Sequence, residues 1–275
     1  MDAERFLAVL ADAGRAPIPS GHAAIVVAHP DDETIGCGAQ LPRLRGATIV
    51  LVTDGAPRNL ADAQAAGFAT GEAYAAARDR ELRDALTLAG VPGEALVGLG
   101  IPDQQAALRL CELAHRLVEF FSTRPIRIVL THAYEGGHPD HDATTFAVSA
   151  ATALLRGRGH AVSIIEMPYY RLDGSSEVFQ RFAPHRDCPE TTIHLNAQEQ
   201  ALKRAMMAAH ATQQRVLASF TADVERFRRA CSYDFTVLPN QGQLFYERQD
   251  WGMSGQNWLV LAQAALRELG LGGGG

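Results

Sequence analysis

At 275 residues, 47% hydrophobic and 20% charged, the chain has ordinary globular composition and enough length to bury a large core. A formal charge of −6 with no basic run gives no electrostatic footprint for nucleic acid. No apolar run approaches membrane-spanning length, and the first twenty residues lack a basic segment followed by an apolar core, so a cytoplasmic protein without membrane association is expected.

An amphipathic helix is predicted near residues 2–13. The apolar run Ala23–Ala28 reads as a buried strand. Further strands are predicted at 47–53, 95–99, 126–131, 162–166 and 191–195, with helices near 35–45, 74–89, 104–123, 140–156 and 197–217. Such alternation implies right-handed crossovers and an α/β, Rossmann-like fold: a mostly parallel sheet with helices on both faces. Ala56–Thr70 reads as a loop over the site. Pro168–Pro189, with Tyr169, Tyr170, Arg171 and His185, reads as a second irregular stretch at its rim. One domain spanning 1–271 is the simplest count, followed by a disordered Gly272–Gly275 tail. Cys37, Cys111, Cys188 and Cys231 form no C-x-x-C pair and are expected to be reduced thiols. Cys37, beside Gly36 and Gly38, reads as a small packing residue because no base partner can be named for it.

Two clusters carry the chemistry. His29-Pro30-Asp31-Asp32-Glu33-Thr34 follows the first buried strand, and His138-Pro139-Asp140-His141 follows the strand near 126–131. Carboxyl ends of parallel strands are where open α/β sheets build their sites. One histidine and one aspartate from the first cluster plus one histidine from the second make the three-ligand inventory of a catalytic zinc site. Pro30 and Pro139 push His29 and His138 into extended conformations, so each imidazole leaves its strand end before a helix begins. Which member of each pair binds metal does not follow from spacing. A dinucleotide site is disfavoured because Gly36-Cys37-Gly38 follows the acidic motif and Leu41 stands at the third glycine position. His29, Asp31 and His141 also spell a facial triad for non-haem iron, with Asp31 as ligand and Asp32 as bystander.

The two clusters together resemble the signature pair of the LmbE/PIG-L-like zinc N-deacetylases, which remove acetyl from N-acetylglucosamine-type sugars. Val52-Thr53-Asp54-Gly55, Arg78 with Glu81, Ile101-Pro102-Asp103 and, more weakly, Lys203 through His210 to Gln213 also match family landmarks. The recognisable core is thus 23–213, with 214–271 a C-terminal extension. The resemblance implies His29, Asp32 and His141 as ligands of zinc or another divalent metal, with Asp31 free as general base. It implies a catalytic His138, read as an imidazolium stabilising the oxyanion, with Asp140 raising its pKa and orienting it. It implies contacts from Arg78 and Asp103 to sugar hydroxyls; their bland readings are an ion pair of Arg78 with Glu81 and a turn aspartate. Asp140 is also a candidate N-cap for the helix that follows. Where family members often carry tyrosine two residues before His138, this chain has Gly136. His132 is a candidate supporting residue, whereas His22, His115, His160, His185, His194 and His210 read as surface or packing histidines. The expected activity is N-deacetylation of a small-molecule N-acetylated sugar; hydrolysis of another amide and a non-catalytic sugar-binding relative are the alternatives. No nucleic-acid partner is expected, and homo-oligomerisation is left open.

Overall fold

A computed structural model describes residues 2–272; the rest of the glycine tail lies outside the described residues. The mixed α/β fold centres on a seven-stranded sheet, ordered Glu190–His194, Val224–Arg229, Ser163–Met167, Ile128–His132, Ala23–Val27, Thr48–Thr53, Leu96–Ile101. The last five run parallel, and Val224–Arg229 is antiparallel to both its neighbours. Successive strand residues point to opposite faces. Ala23, Ile25 and Val27 therefore enter a core with Phe6, Leu10, Leu82 and Met206, while Ala24 and Val26 enter a second with Leu113, Leu117, Phe146 and Trp258. A strand buried on both faces must be apolar throughout, which is why the run Ala23–Val27 was readable.

The winding order positions the site. From Ala23–Val27 the chain moves outward through Thr48–Thr53 to Leu96–Ile101, then returns to the other flank of Ala23–Val27 with Ile128–His132 and Ser163–Met167. That reversal opens a crevice beyond the carboxyl ends of Ala23–Val27 and Ile128–His132. Both motifs start there.

Several boundaries differ from expectation. The predicted 35–45 helix is instead a short helix, Asp32–Cys37, a 3-10 turn, Gly38–Gln40, and an extended pair, Leu44–Arg45, beside Ile18–Pro19. A Cβ on Gly36 would stand 2.7 Å from Met167 Sδ and Tyr169 Oη, so close packing dictates glycine there at the expense of helix length. The 197–217 helix ends at Ala209, because His210 leaves helical geometry and the chain re-forms only as short turns over 211–217. Within 168–189, the segments Tyr170–Asp173 and Ser176–Phe179 pair as a hairpin. The Ala56–Thr70 loop contains a short helix, Ala61–Ala65. Beyond 213, the strand Val224–Arg229 and the helix Gly255–Glu268 were not foreseen.

Val224–Arg229 escaped notice because it reads Val-Glu-Arg-Phe-Arg-Arg, yet two of its charges are buried in pairs. Glu225 accepts from Lys203 Nζ at 2.8 Å, from the Ala39 amide at 2.9 Å and from Gln40 Nε2 at 3.1 Å. Lys203 also donates to the Ile35 carbonyl at 2.7 Å, and both paired side chains are fully buried. Arg228 pairs with Glu166 at 2.8 Å. Lys203 thereby fastens the late helix and a sheet strand to the turn after the first motif. Removing one member of a buried pair leaves an uncompensated charge, typically costing about 3–5 kcal/mol. Lys203→Met should lower the unfolding free energy by about that much in urea titration, with much of the loss recovered by adding Glu225→Gln. A wild-type denaturation midpoint in the single variant would contradict the role given to the pair.

Candidate metal centre

The first motif turns sharply at Asp31, whose φ of +150° is a region few non-glycine residues occupy. The turn brings Asp32 back so that its Oδ2 accepts the His29 amide at 2.7 Å. From the other strand end, the helix Pro139–Arg156 starts with His141 in its first turn. Three ligand types then meet: His29 Nδ1 lies 3.2 Å from His141 Nε2 and 3.3 Å from Asp32 Oδ2, and His141 Nε2 lies 3.4 Å from Asp32 Oδ1. All three residues are buried. Atoms bound at ~2.0–2.1 Å around one tetrahedral zinc stand ~3.4 Å apart, so this donor set fits a shared divalent cation. Zinc also suits two imidazoles and a carboxylate in softness.

The surroundings orient these donors. His29 Nε2 lies 3.1 Å from Asp103 Oδ1 and 3.5 Å from Asp140 Oδ2, which fixes the proton there and leaves Nδ1 facing the other two donors. His132 stacks on His141 with centroids 4.0 Å apart, accepts the Ala28 amide at 2.9 Å and approaches Asp32 Oδ2 at 3.5 Å. The Tyr169 hydroxyl donates to the Asp32 carbonyl at 3.0 Å. Behind the turn, His210 is buried with Nε2 3.4 Å from Thr34 Oγ1.

Asp31 does not join the trio. Its Oδ2 accepts from Arg78 at 3.2 Å, and Arg78 also donates to the carbonyls of Gly55, at 2.7 Å, and Pro30, at 3.1 Å. The facial triad with Asp31 as ligand is thereby corrected: Asp32 stands with the two histidines. The Arg78–Glu81 ion pair is also absent, since Glu81 accepts instead from the amide and hydroxyl of Thr212. Gly55 is required, because φ is +65° and a Cβ would meet Arg78 Nη1 and Pro30 Cδ at 2.7 Å.

Two further expectations are revised. The carboxylate of Asp140 accepts the amides of Gln104, at 2.6 Å, and Ala106, at 3.0 Å, and so does not orient His138. His138 itself caps the helix, its Nδ1 accepting the Asp140 amide at 3.1 Å. A nitrogen that accepts an N–H carries no proton, so His138 is a neutral imidazole with its proton on Nε2, not an imidazolium. Burial accordingly pushes its pKa well below the ordinary value.

Burial raises Asp31 to about 7, opposed chiefly by Arg78. Asp32 is likewise buried, yet His141 and His132 hold it well below the carboxylate range. Asp103 is lowered against burial chiefly by His29, with Arg78 adding to it, while burial takes Asp140 to about 6. A cavity of about 360 Å³ opens above the trio. Its lining combines the polar Asp31, Arg78, Asp103, Gln104 and His138 with the aromatic Tyr170, Phe179, Phe220, Phe245 and Trp251. The rings of His138 and Trp251 stand 4.4 Å apart. Phe220, Phe245 and Trp251 went unnoticed in the sequence because isolated aromatics far from the motifs carry no local signal. Cys37 is buried, and burial pushes its thiol well above the ordinary range, as its packing role requires.

Two buried carboxyls lie behind the site. Glu135 Oε1 accepts the Tyr169 amide at 2.7 Å, and Asp142 Oδ1 accepts the amides of Glu135 and Gly136 at 3.3 and 3.2 Å. Burial pushes each up to about 8. A raised folded-state pKa contributes stability that is full below the unfolded value and declines as pH rises to the folded one. For Glu135 the decline runs from about 4.5 to about 8, at about 1.4 kcal/mol per pH unit. Glu135→Gln should therefore lose less stability than wild type between pH 5 and 8 in thermal unfolding. Parallel profiles would show that Glu135 is already ionised in the folded protein.

Comparison with known proteins agrees with this architecture. The chain is similar in structure to an antimicrobial pseudoaglycone deacetylase, with TM-score 0.59, 18% identity and coverage of 78% of this chain and 99% of that one. It is also similar to a deacetylase of teicoplanin biosynthesis, with TM-score 0.57, 16% identity and coverage of 77% and 99%. A third likeness is to N,N'-diacetylchitobiose deacetylase from Pyrococcus horikoshii, with TM-score 0.53, 17% identity and coverage of 83% and 93%. No curated protein sequence matches the chain. The resemblance read from the two motifs is matched by a family model that spans both of them. Over residues 24–152 the chain matches the family model of PIG-L, GlcNAc-PI de-N-acetylase.

Proposed function

We propose that the protein is a zinc-dependent hydrolase that removes the acetyl group from an N-acetylglucosamine-type amino sugar in a small glycoconjugate or biosynthetic intermediate. The observation that carries this reading is the division of labour between adjacent aspartates. Asp32 faces His29 and His141 at 3.3–3.4 Å, whereas Asp31 is held away from them by Arg78. His29, Asp32 and His141 would hold the cation. When bound, it supplies Lewis acidity to the acyl carbonyl and makes water nucleophilic at neutral pH.

The chain's own residues do the rest. Asp31 takes the proton of the attacking water and returns it to the departing amine, a role that needs a carboxylate near the cation but not bound to it. His138, neutral and anchored through Nδ1, donates its Nε2–H to the developing oxyanion. Asp140 positions His29 and the Gln104–Ala106 turn, and is a positioning residue in this reading. Arg78 and Asp103 keep Asp31 and His29 in place, and both line the cavity within reach of sugar hydroxyls. The aromatic lining offers Trp251, Phe245 and Tyr170 to the apolar face of a sugar ring. We read 1–271 as one domain, because the Val224–Arg229 strand lies inside the sheet and Trp258 of the last helix packs in the shared core.

Acetate release from a panel of N-acetylglucosamine glycosides, with N-acetyl amino acids alongside, tests the reading. Zinc-loaded protein should release acetate from the sugars. Asp31→Asn should keep its zinc and lose on the order of 10²–10⁴-fold in turnover. His141→Ala should lose the one zinc held by this trio, and His138→Ala should keep it while losing on the order of 10²–10³-fold in turnover. Near-normal turnover by Asp31→Asn, or full zinc occupancy in His141→Ala, would overturn the assignment.

A further inference from the structure

Far from the cavity, His185, Cys188 and Cys231 place an imidazole nitrogen and two sulfurs within 4.8 Å of one another. The connector 180–189, between the hairpin and the Glu190–His194 strand, supplies the first two, and Cys231 follows the Val224–Arg229 strand. Within the connector the Cys188 amide donates to the His185 carbonyl at 3.4 Å, a turn that brings residues three apart to one side. Two ligands with two residues between them in one turn, completed from a distant segment, are a recurring spacing in zinc sites. Both cysteines are buried and His185 is exposed, so the thiols are shielded while the imidazole stands at the opening.

We propose that His185, Cys188 and Cys231 form a second metal site, separate from the His29–Asp32–His141 trio, that takes a thiophilic divalent cation, zinc foremost. Two sulfurs and an imidazole are a soft donor set, whereas the oxygen-rich neighbourhood of the first trio is harder. The fourth position is open to water, because a cavity of about 400 Å³ lies beside His185 and Cys188. Arg228, on the neighbouring strand, does not forbid the site: its charge is matched by Glu166 at 2.8 Å and its guanidinium lies over the Phe182 ring at 4.1 Å. Arg226, on the same strand, is paired with Glu190 at 3.1 Å. His185 Nδ1 accepts the Asp187 amide at 3.2 Å, a contact that rotation of the exposed ring exchanges for the cation. Binding releases the thiol protons to solvent, and no electron transfer is involved. The bound cation cross-links the connector to the end of the strand, so its role is to stiffen this part of the chain and not to take part in turnover.

Cobalt distinguishes the two sites. Full-length protein, reduced and freed of metal by a chelator, should take up two equivalents of Co²⁺ and develop a sulfur-to-cobalt charge-transfer band in the near ultraviolet, which a trio without sulfur cannot give. Cys188→Ser combined with Cys231→Ser should abolish the band and one equivalent while leaving acetate release unchanged. His185→Ala, at an exposed position, should keep both thiols and weaken this site on the order of tenfold or more. Metal loading should also slow proteolysis within 180–189 in wild type and not in the double variant. A single equivalent without the band, or a Cys188–Cys231 disulfide found by mass spectrometry of the purified protein, would overturn the proposal.

Discussion

Asp31, Asp32, Asp103 and Asp140 are all buried around one crevice, and Arg78 is the buried arginine that lines it beside them, whereas Arg215 is exposed at its edge. Repulsion between carboxylates at such separations costs kilocalories in a poorly screened site. Every arrangement in the site answers that constraint. Arg78 takes Asp31, the Gln104 and Ala106 amides take Asp140, His29 bridges toward Asp103, and His141 and His132 face Asp32. What is left over is negative charge concentrated where three ligand atoms converge, which is the electrostatic demand a divalent cation meets.

The scaffold supports that concentration from below. The two strand ends at the sheet reversal bring the motifs face to face, and tightly packed glycines allow the loops to approach. A Cβ at Gly137 would collide with the Tyr170 carbonyl, so the second motif and the hairpin can meet only through glycine. At Gly136 a Cβ would press on Leu244 at 2.8 Å, which means that the segment beyond 238 occupies space beside the second motif. Trp251 and Phe245 reach the cavity from that same segment, outside the family-matched region. The trio and its carboxylates thus come from residues 29–141, whereas much of the apolar wall comes from later in the chain.

The parts legible in the sequence were those where one local cause acts alone. Runs such as Ala23–Val27 and Ile128–Thr131 announce themselves because both faces are buried, and the two His-Pro-Asp clusters announce themselves because ligand chemistry is rare at strand ends. Val224–Arg229 was illegible because its burial rests on Lys203 and Glu166, partners distant in sequence. The charge state of His138 was misread for a related reason. A backbone amide, which no sequence motif displays, decides its tautomer, and the carboxylate beside it in sequence turns to Gln104 and Ala106. The helix Gly255–Glu268 did carry a signal, with Ser254 capping it and Trp258, Ala262 and Ala265 recurring at helical spacing, but no landmark drew attention to it.

The central claim is that Asp32, and not its neighbour Asp31, completes the cation site with His29 and His141. Anomalous diffraction at the zinc edge from crystals of zinc-loaded protein tests it most directly. The account predicts a strong peak at this site, ~2.0–2.2 Å from His29 Nδ1, an Asp32 oxygen and His141 Nε2, with Asp31 still on Arg78. A peak coordinated by Asp31, or one on the Nε2 side of His29 between Asp103 and His138, would contradict it.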